Sequence, residues 1–310
     1  MRPDISIVFP ARNERSRIAP TIESIARART TDARVEFVVV DDASTDGCIE
    51  NLMAAVPRLL DQPRVDIRVC RFDQHSGIFR ARNQAAKLAS ADILFITDAH
   101  VRFSTGWDQC VFEHFRPDCL LAGTITQHGT AFHGYGCRLL VPFMGTTWNR
   151  TPVQEPTPVP VAACPATVIA RDLYHELGGY DEGMYFYGAG EPEFSLRAWL
   201  HGADILVLGG LEVQHEFKPK PELSKFLASV RPHWVHNCLR FGLLYLSEAG
   251  CMQMLRYYAC SSPHCQRALQ LLERGDVWKR RKFLESRRER SFEWFVNRFE
   301  LKNQIGGEII

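Results

Sequence analysis

The 310-residue sequence contains no apolar run approaching the ~18 residues that a membrane-spanning helix requires, and the brief apolar start, Ile5 to Phe9 behind Asp4, is too short for a signal peptide. A soluble chain is expected. Its ten cysteines include no CxxC pair, which argues against a zinc knuckle or a dithiol redox motif and suits reduced thiols of a cytoplasmic protein. Cys260, His264 and Cys265 form the one tight cluster, and without the usual zinc spacing they read as local packing. Neither sign of charge dominates: 37 Lys and Arg face 36 Asp and Glu, for a net charge of +1, so no global attraction draws the chain to nucleic acid. There is no internal repeat.

What remains is an ordinary globular composition, 45% hydrophobic and 24% charged, long enough to bury a core without disulfides or a structural metal. The first hundred residues alternate two patterns. Short β-branched or apolar runs at Ile5 to Phe9, Val35 to Val40, Val65 to Cys70 and Ile93 to Thr97 suit buried strands. Between them, residues 18–28, 47–60 and 77–89 carry apolar side chains at helical spacing. This is the signature of right-handed βαβ units, an α/β fold in which ligands lie beyond the carboxyl ends of the strands. Those ends read Pro10-Ala11-Arg12-Asn13-Glu14, then Asp41-Asp42, then Asp73 to Gly77, then Asp98-Ala99-His100, and all four are polar.

Gln127 to Pro165 is rich in Gly, Pro and Thr, which suggests a mobile lid. Further on, Pro192 suits the first turn of a helix ending at Gly202, which sets Glu191 at its start and Glu193 at salt-bridge spacing from Arg197. From Pro221 the pattern is helical and amphipathic. Residues 279–290 hold seven basic and two acidic residues, a local positive patch that suits a solvated helix face, an acceptor-binding arm or a peripheral contact with the inner face of an anionic membrane. The expected organisation is a domain over residues 1–220, with a nucleotide-binding half (1–100) and an acceptor half (101–220), followed by a helical extension over 221–310.

Over roughly residues 3–245 the ordered set of Ile7 to Glu14, Val38 to Ser44, Gly77 to Asn83, Asp98-Ala99-His100 and Gly190 to Trp199 resembles the GT-A glycosyltransferases of family 2. Asp98-x-His100 and Gly178-Gly179-Tyr180-Asp181-Glu182-Gly183-Met184 are locally similar to the polypeptide N-acetylgalactosaminyltransferases. The resemblance implies a mixed sheet flanked by helices and a UDP-sugar lying across the strand ends. It implies that Asp41 or Asp42 accepts the uracil imide N–H, that Pro10, Ala11, Arg12, Glu14 and His75 line the base and ribose, that Gly77, Arg80 and Ala99 join the donor site, and that Tyr187 caps the sugar.

The same resemblance makes Asp98, His100 and His215 ligands of a divalent metal. Asp98 and His100 would be alternate residues of an extended segment. Mixed nitrogen and oxygen ligation suits Mn²⁺ better than Mg²⁺. Family 2 enzymes usually carry Glu-Asp before the helix, the second acid serving as base for an inverting transfer, whereas the retaining polypeptide transferases have Asn there. Here the pair is Gly190-Glu191, which implies inversion with Glu191 as general base and leaves the donor sugar open at Gly190. The acceptor expected is a glycan, a peptide or a small natural product, met in the cytoplasm because no lectin domain or membrane anchor is evident. Two other readings compete. A sugar-phosphate nucleotidyltransferase wants a glycine-rich loop after the first strand, and Pro10 to Ser16 has no glycine. A non-catalytic nucleotide-sugar-binding protein has no need of a base.

Overall fold

A computed structural model describes residues 2–306 and Ile309. The first half follows the alternating pattern: β1 (Ile5–Ala11), α1 (Ile18–Arg27), β2 (Val35–Asp41), α2 (Cys48–Leu60), β3 (Val65–Arg71), α3 (Ile78–Leu88) and β4 (Ile93–Ile96). β2 is buried along its whole length, as a β-branched strand covered on both faces must be. β3, at the sheet edge, is buried only at Val65 and exposes Asp66, Arg68 and Arg71, with Ile67, Val69 and Cys70 partly covered.

The remaining elements are β5 (Val101–Phe103), α4 (Trp107–His114), β6 (Cys119–Thr126), β7 (His133–Tyr135), β8 (Cys137–Leu140), β9 (Gly145–Trp148), β10 (Thr157–Pro158), β11 (Thr167–Ala170), α5 (Arg171–Glu176), α6 (Gly190–Leu200) and β12 (Asp204–His215). Five helices follow: α7 (Lys220–Tyr245), α8 (Glu248–Ser261), α9 (Cys265–Glu273), α10 (Val277–Glu285) and α11 (Phe292–Arg298). The main sheet runs β10-β12-β6-β11-β4-β1-β2-β3, with β5 on β12 and β7 on β6. It is mixed. β3, β2, β1 and β4 are parallel, β11 is antiparallel to both β4 and β6, and β12 is parallel to β6. β12 therefore ends on the same side of the sheet as β4.

Two expectations are corrected here. Residues 127–165 are not a single irregular lid, because β7, the β8–β9 hairpin and β10 all lie within the segment, and β7 and β10 pair with the main sheet. α6 begins at Gly190, earlier than the proline suggests, because Ala189 takes a left-handed conformation (φ 63°) that turns the chain into the helix before Pro192. The helices after residue 220 share the sheet's core: Val235, Leu239, Phe241 and Leu244 of α7 are buried, and α11 packs on α6. Among the described residues, no helix is long and apolar enough to cross a membrane.

Candidate active site

The loop after β4 carries Asp98 and His100. It is a bend, not the extended segment expected, so alternation along a strand is not what aligns the two side chains. Strand pairing does that work. β5 runs antiparallel to β12 with Val101 opposite His215, and the Glu216 amide donates to the His100 carbonyl at 3.1 Å. This register sets His100 and His215 side by side, with their Nε2 atoms 3.1 Å apart and His215 Nε2 3.5 Å from Asp98 Oδ2. Ligand atoms of Asp98, His100 and His215 all lie within 4.8 Å of one another. β12 reaches this position after an irregularity between Leu208 and Glu212 that holds Gly209 and Gly210, a bulge that shifts its register against β6.

The other nitrogen of His100 is also fixed: Nδ1 lies 2.9 Å from Glu14 Oε2. Glu14 sits between Asn13 and Arg15, both at positive φ (53° and 55°), a strained turn that aims the carboxylate inward from the end of β1. Burial disfavours charge on His100, but the Glu14 hydrogen bond and the nearby carboxylates raise its pKa overall. Burial likewise works against the Asp98 carboxylate, and the His215 hydrogen bond with the Arg82 charge outweighs it, holding Asp98 well below the usual carboxylate range. A cavity of about 500 Å³ opens on the two histidines, lined in part by Arg17, Thr21, Arg102, Gln127 and Phe217.

Glu191, in the first turn of α6, is tied to this group by Arg82. The Arg82 side chain is only 2% exposed; one amino group lies 2.5 Å from Glu191 Oε1, the other 3.1 Å from Asp98 Oδ1 and 2.9 Å from Cys164 Sγ. The Cys164 thiol is pushed far up by burial. Arg82 and Cys164 escape a reading of strand ends and acid motifs. The available signal was positional: Arg82 lies on the face of α3 that also carries Phe79 and Ala86, where a core residue belongs.

The missing acid at Gly190 has a steric counterpart. A Cβ there would stand 2.0 Å from the Phe79 ring, so Phe79 fills the space beside the helix start. Glu193 is turned away into a wholly buried pair with Arg197 at 2.7 Å and accepts the Tyr245 hydroxyl, the structural role its spacing predicts.

The residues expected to hold the nucleotide are spread over neighbouring strand ends. Pro10 and Ala11 close β1 opposite Val40 and Asp41. Arg12 donates to the carbonyls of Asp42 and Ala43. Asp41 is buried, capping the Ser44 amide and facing Arg71 at 3.0 Å. Asp42 takes the amides of Ser76 and Gly77, and one of its oxygens lies 2.6 Å from His75 Nδ1. Asp41 thus organises the loop after β2, and Asp42 the loop after β3. Gly77 (φ 96°) lies so close to the Phe186 backbone that a Cβ would meet it at 2.8 Å. Ala99 is buried and its carbonyl accepts from Thr21. Arg80 is not brought to this group; it is half exposed, 3.9 Å from Glu182. Tyr187 packs edge-on against Phe226. Its loop hangs on Asn237 of α7, a third residue the sequence did not disclose, whose side chain bonds the Tyr185 amide and the carbonyls of Tyr185, Tyr187 and Gly188.

The family profile described as "Glycosyl transferase family 2" matches residues 6–178. The chain belongs to glycosyl transferase family 2. Among curated proteins it is 26% identical over 321 residues to human polypeptide N-acetylgalactosaminyltransferase 18, covering 95% of this chain and 50% of the relative. It is 30% identical over 236 residues to polypeptide N-acetylgalactosaminyltransferase 8 of Drosophila melanogaster, covering 70% of this chain and 38% of that protein. The chain thus spans half or less of the length of these relatives. Among solved structures, GalNAc-T7 with UDP, GalNAc and Mn²⁺ superposes with a TM-score of 0.72 at 20% identity, over 96% of this chain and 57% of that one. The mannosyltransferase PcManGT from Pyrobaculum calidifontis, in complex with GDP-Man and Mn²⁺, gives 0.55 at 16% identity, over 93% and 84%. These likenesses establish the GT-A fold for this family 2 chain.

Proposed function

We propose that this chain is a divalent-metal-dependent glycosyltransferase that moves a sugar from a UDP-sugar to the nucleophile of a peptide, glycan or small natural-product acceptor, with inversion at the anomeric carbon. The observation that carries the reading is the convergence of Asp98, His100 and His215, with Glu191 tethered to the same group through Arg82. The names of the relatives support a UDP-linked N-acetylhexosamine as the first donors to test.

The donor set fits a cation. Two imidazole nitrogens 3.1 Å apart beside a carboxylate oxygen make a mixed N,N,O group suited to Mn²⁺, and the Glu14 contact fixes the second histidine nitrogen as an outer partner does in such sites. When bound, the metal supplies Lewis-acid neutralisation of the charge that develops on the departing diphosphate. The protein groups do the rest. Glu14 accepts from His100 Nδ1 and so turns its Nε2 lone pair inward. Arg82 holds Glu191 by Oε1, leaving Oε2 to accept the acceptor's proton as the new bond to the anomeric carbon forms and the bond to the diphosphate oxygen breaks.

The test pairs product stereochemistry with a single substitution. Proton NMR of the product from an α-linked UDP-sugar should show a β linkage, and Glu191→Gln should lose transfer by at least about 100-fold while retaining UDP affinity. An α-linked product, or a fully active Glu191→Gln variant, removes Glu191 from the role of base.

A further inference from the structure

The positive patch at residues 279–290 changes character once its side chains are placed. Four of its seven basic residues are committed to the fold. Arg280 faces Asp181 at 3.2 Å, and Arg281 donates to the carbonyls of Leu243 and Leu246. Arg288 donates to the Leu244 carbonyl, and Arg290 to those of Gly202 and Ala203. Together with buried Val277 and Leu284, Arg280 and Arg281 form the inner face of α10. That face is anchored to the candidate active site, because Asp181 also binds Arg240 of α7 and leads into the loop carrying Tyr187.

The outer face is different. At about 100° per residue, Trp278, Lys282, Lys279 and Phe283 fall on one arc of about 140° on the side opposite Arg280 and Leu284. Trp278 is 60% exposed and Phe283 52% exposed, the two most exposed aromatic side chains among the described residues. Lys279 and Lys282 have no ion-pair partner among the described residues, and Arg287 lies over the Phe283 ring at 5.4 Å. The nearest acid on α10, Glu285, is at the edge of the arc and is paired with Arg281. Two aromatic side chains and two lysines on one arc that holds no acid suit the boundary between an anionic headgroup layer and its acyl chains, where rings insert and ammonium groups meet lipid phosphate.

We propose that the outer face of α10 is a membrane-docking surface, on which Trp278 and Phe283 insert into an anionic bilayer and Lys279, Lys282 and Arg287 bind its headgroups. The surface is distinct from the donor site, and because α10 is braced against Asp181, docking holds the loop of Tyr187 in a fixed relation to the membrane plane.

The experiment is sedimentation of the full chain with phosphatidylcholine vesicles containing or lacking phosphatidylglycerol. The chain should bind the anionic vesicles, and binding should weaken as salt is raised. Lys279→Glu/Lys282→Glu and Trp278→Ala/Phe283→Ala should each reduce partitioning by about tenfold or more, with melting temperature and UDP affinity unchanged. UDP affinity is a separate readout, so failure of the donor site leaves this test intact. No binding to anionic vesicles at low salt overturns the proposal, as does equal binding to neutral ones. Self-association of the wild-type chain that the aromatic double variant abolishes, without vesicle binding, assigns the face to a second copy of the chain instead.

Discussion

Arg82 joins Glu191 to Asp98 of the Asp98–His100–His215 cluster: its one guanidinium lies 2.5 Å from Glu191 Oε1 and 3.1 Å from Asp98 Oδ1. Burial works against the arginine's charge, and the negative groups around it more than restore it, so Arg82 stays cationic where it touches both carboxylates. In the proposed reaction this spacing places the proton acceptor and the metal-binding carboxylate on one rigid bridge.

Replacing Arg82 by Lys keeps the charge but removes the fork, since a single ammonium has no planar pair of amino groups to span Asp98 and Glu191. Transfer by Arg82→Lys should fall by about 100-fold, chiefly in kcat, with UDP affinity changed far less. Steady-state kinetics of transfer would show it, and an unchanged kcat would mean that the bridge is only structural.

At Gly190 the constraint is space. Gly190→Ala places a methyl carbon against Phe79 and should cost about 2 kcal/mol by overpacking. Measured by urea unfolding, that increment should shrink in a Phe79→Leu background. Equal increments in both backgrounds would show that Phe79 does not set the limit.

Asn237 anchors the loop that carries Tyr187. Asn237→Ala leaves several buried backbone groups without partners and should cost about 3 kcal/mol. Amide hydrogen exchange should accelerate at residues 185–188 more than in β1 or β2. Uniform acceleration throughout the sheet would contradict a local anchor.

His236, buried beside Asn237, is held down to a pKa of about 4 by burial. The unfolded chain takes this proton first, near pH 6.5, so the stability contributed is complete above that pH and is lost as pH falls from about 6.5 through about 4. The loss amounts to about 3 kcal/mol over this window. Unfolding of wild type and His236→Gln near pH 7 and near pH 5 should show the gap between them narrowing at the lower pH. A constant gap would show that this imidazole does not carry the pH dependence.

The parts of this architecture visible in the sequence are those with local causes. β1 to β4 and α1 to α3 follow from hydrophobic periodicity, and the polar clusters after those strands mark the site edge because the parallel arrangement leaves their carboxyl ends together. The resemblance supplied His215; periodicity had no means to, because its place beside His100 is set by the pairing of β5 with β12. Arg82, Cys164 and Asn237 remained hidden for the same reason: their partners are far along the chain. The early start of α6 depends on Ala189 at φ 63°, a conformation that alanine's own preference does not signal. Gly, Pro and Thr between 127 and 165 describe edge strands as well as they describe a lid, and only packing separates the two. The charge of residues 279–290 was legible, but its division into braced and exposed faces was not.

The most direct test of the central claim is calorimetry of UDP binding to the wild-type chain and to His215→Ala, each with and without Mn²⁺. The account predicts that Mn²⁺ strengthens UDP binding to the wild type by at least about tenfold and that His215→Ala loses most of this gain, as removal of one ligand of three requires. UDP binding that Mn²⁺ leaves unchanged, or an equal Mn²⁺ effect in His215→Ala, would contradict it.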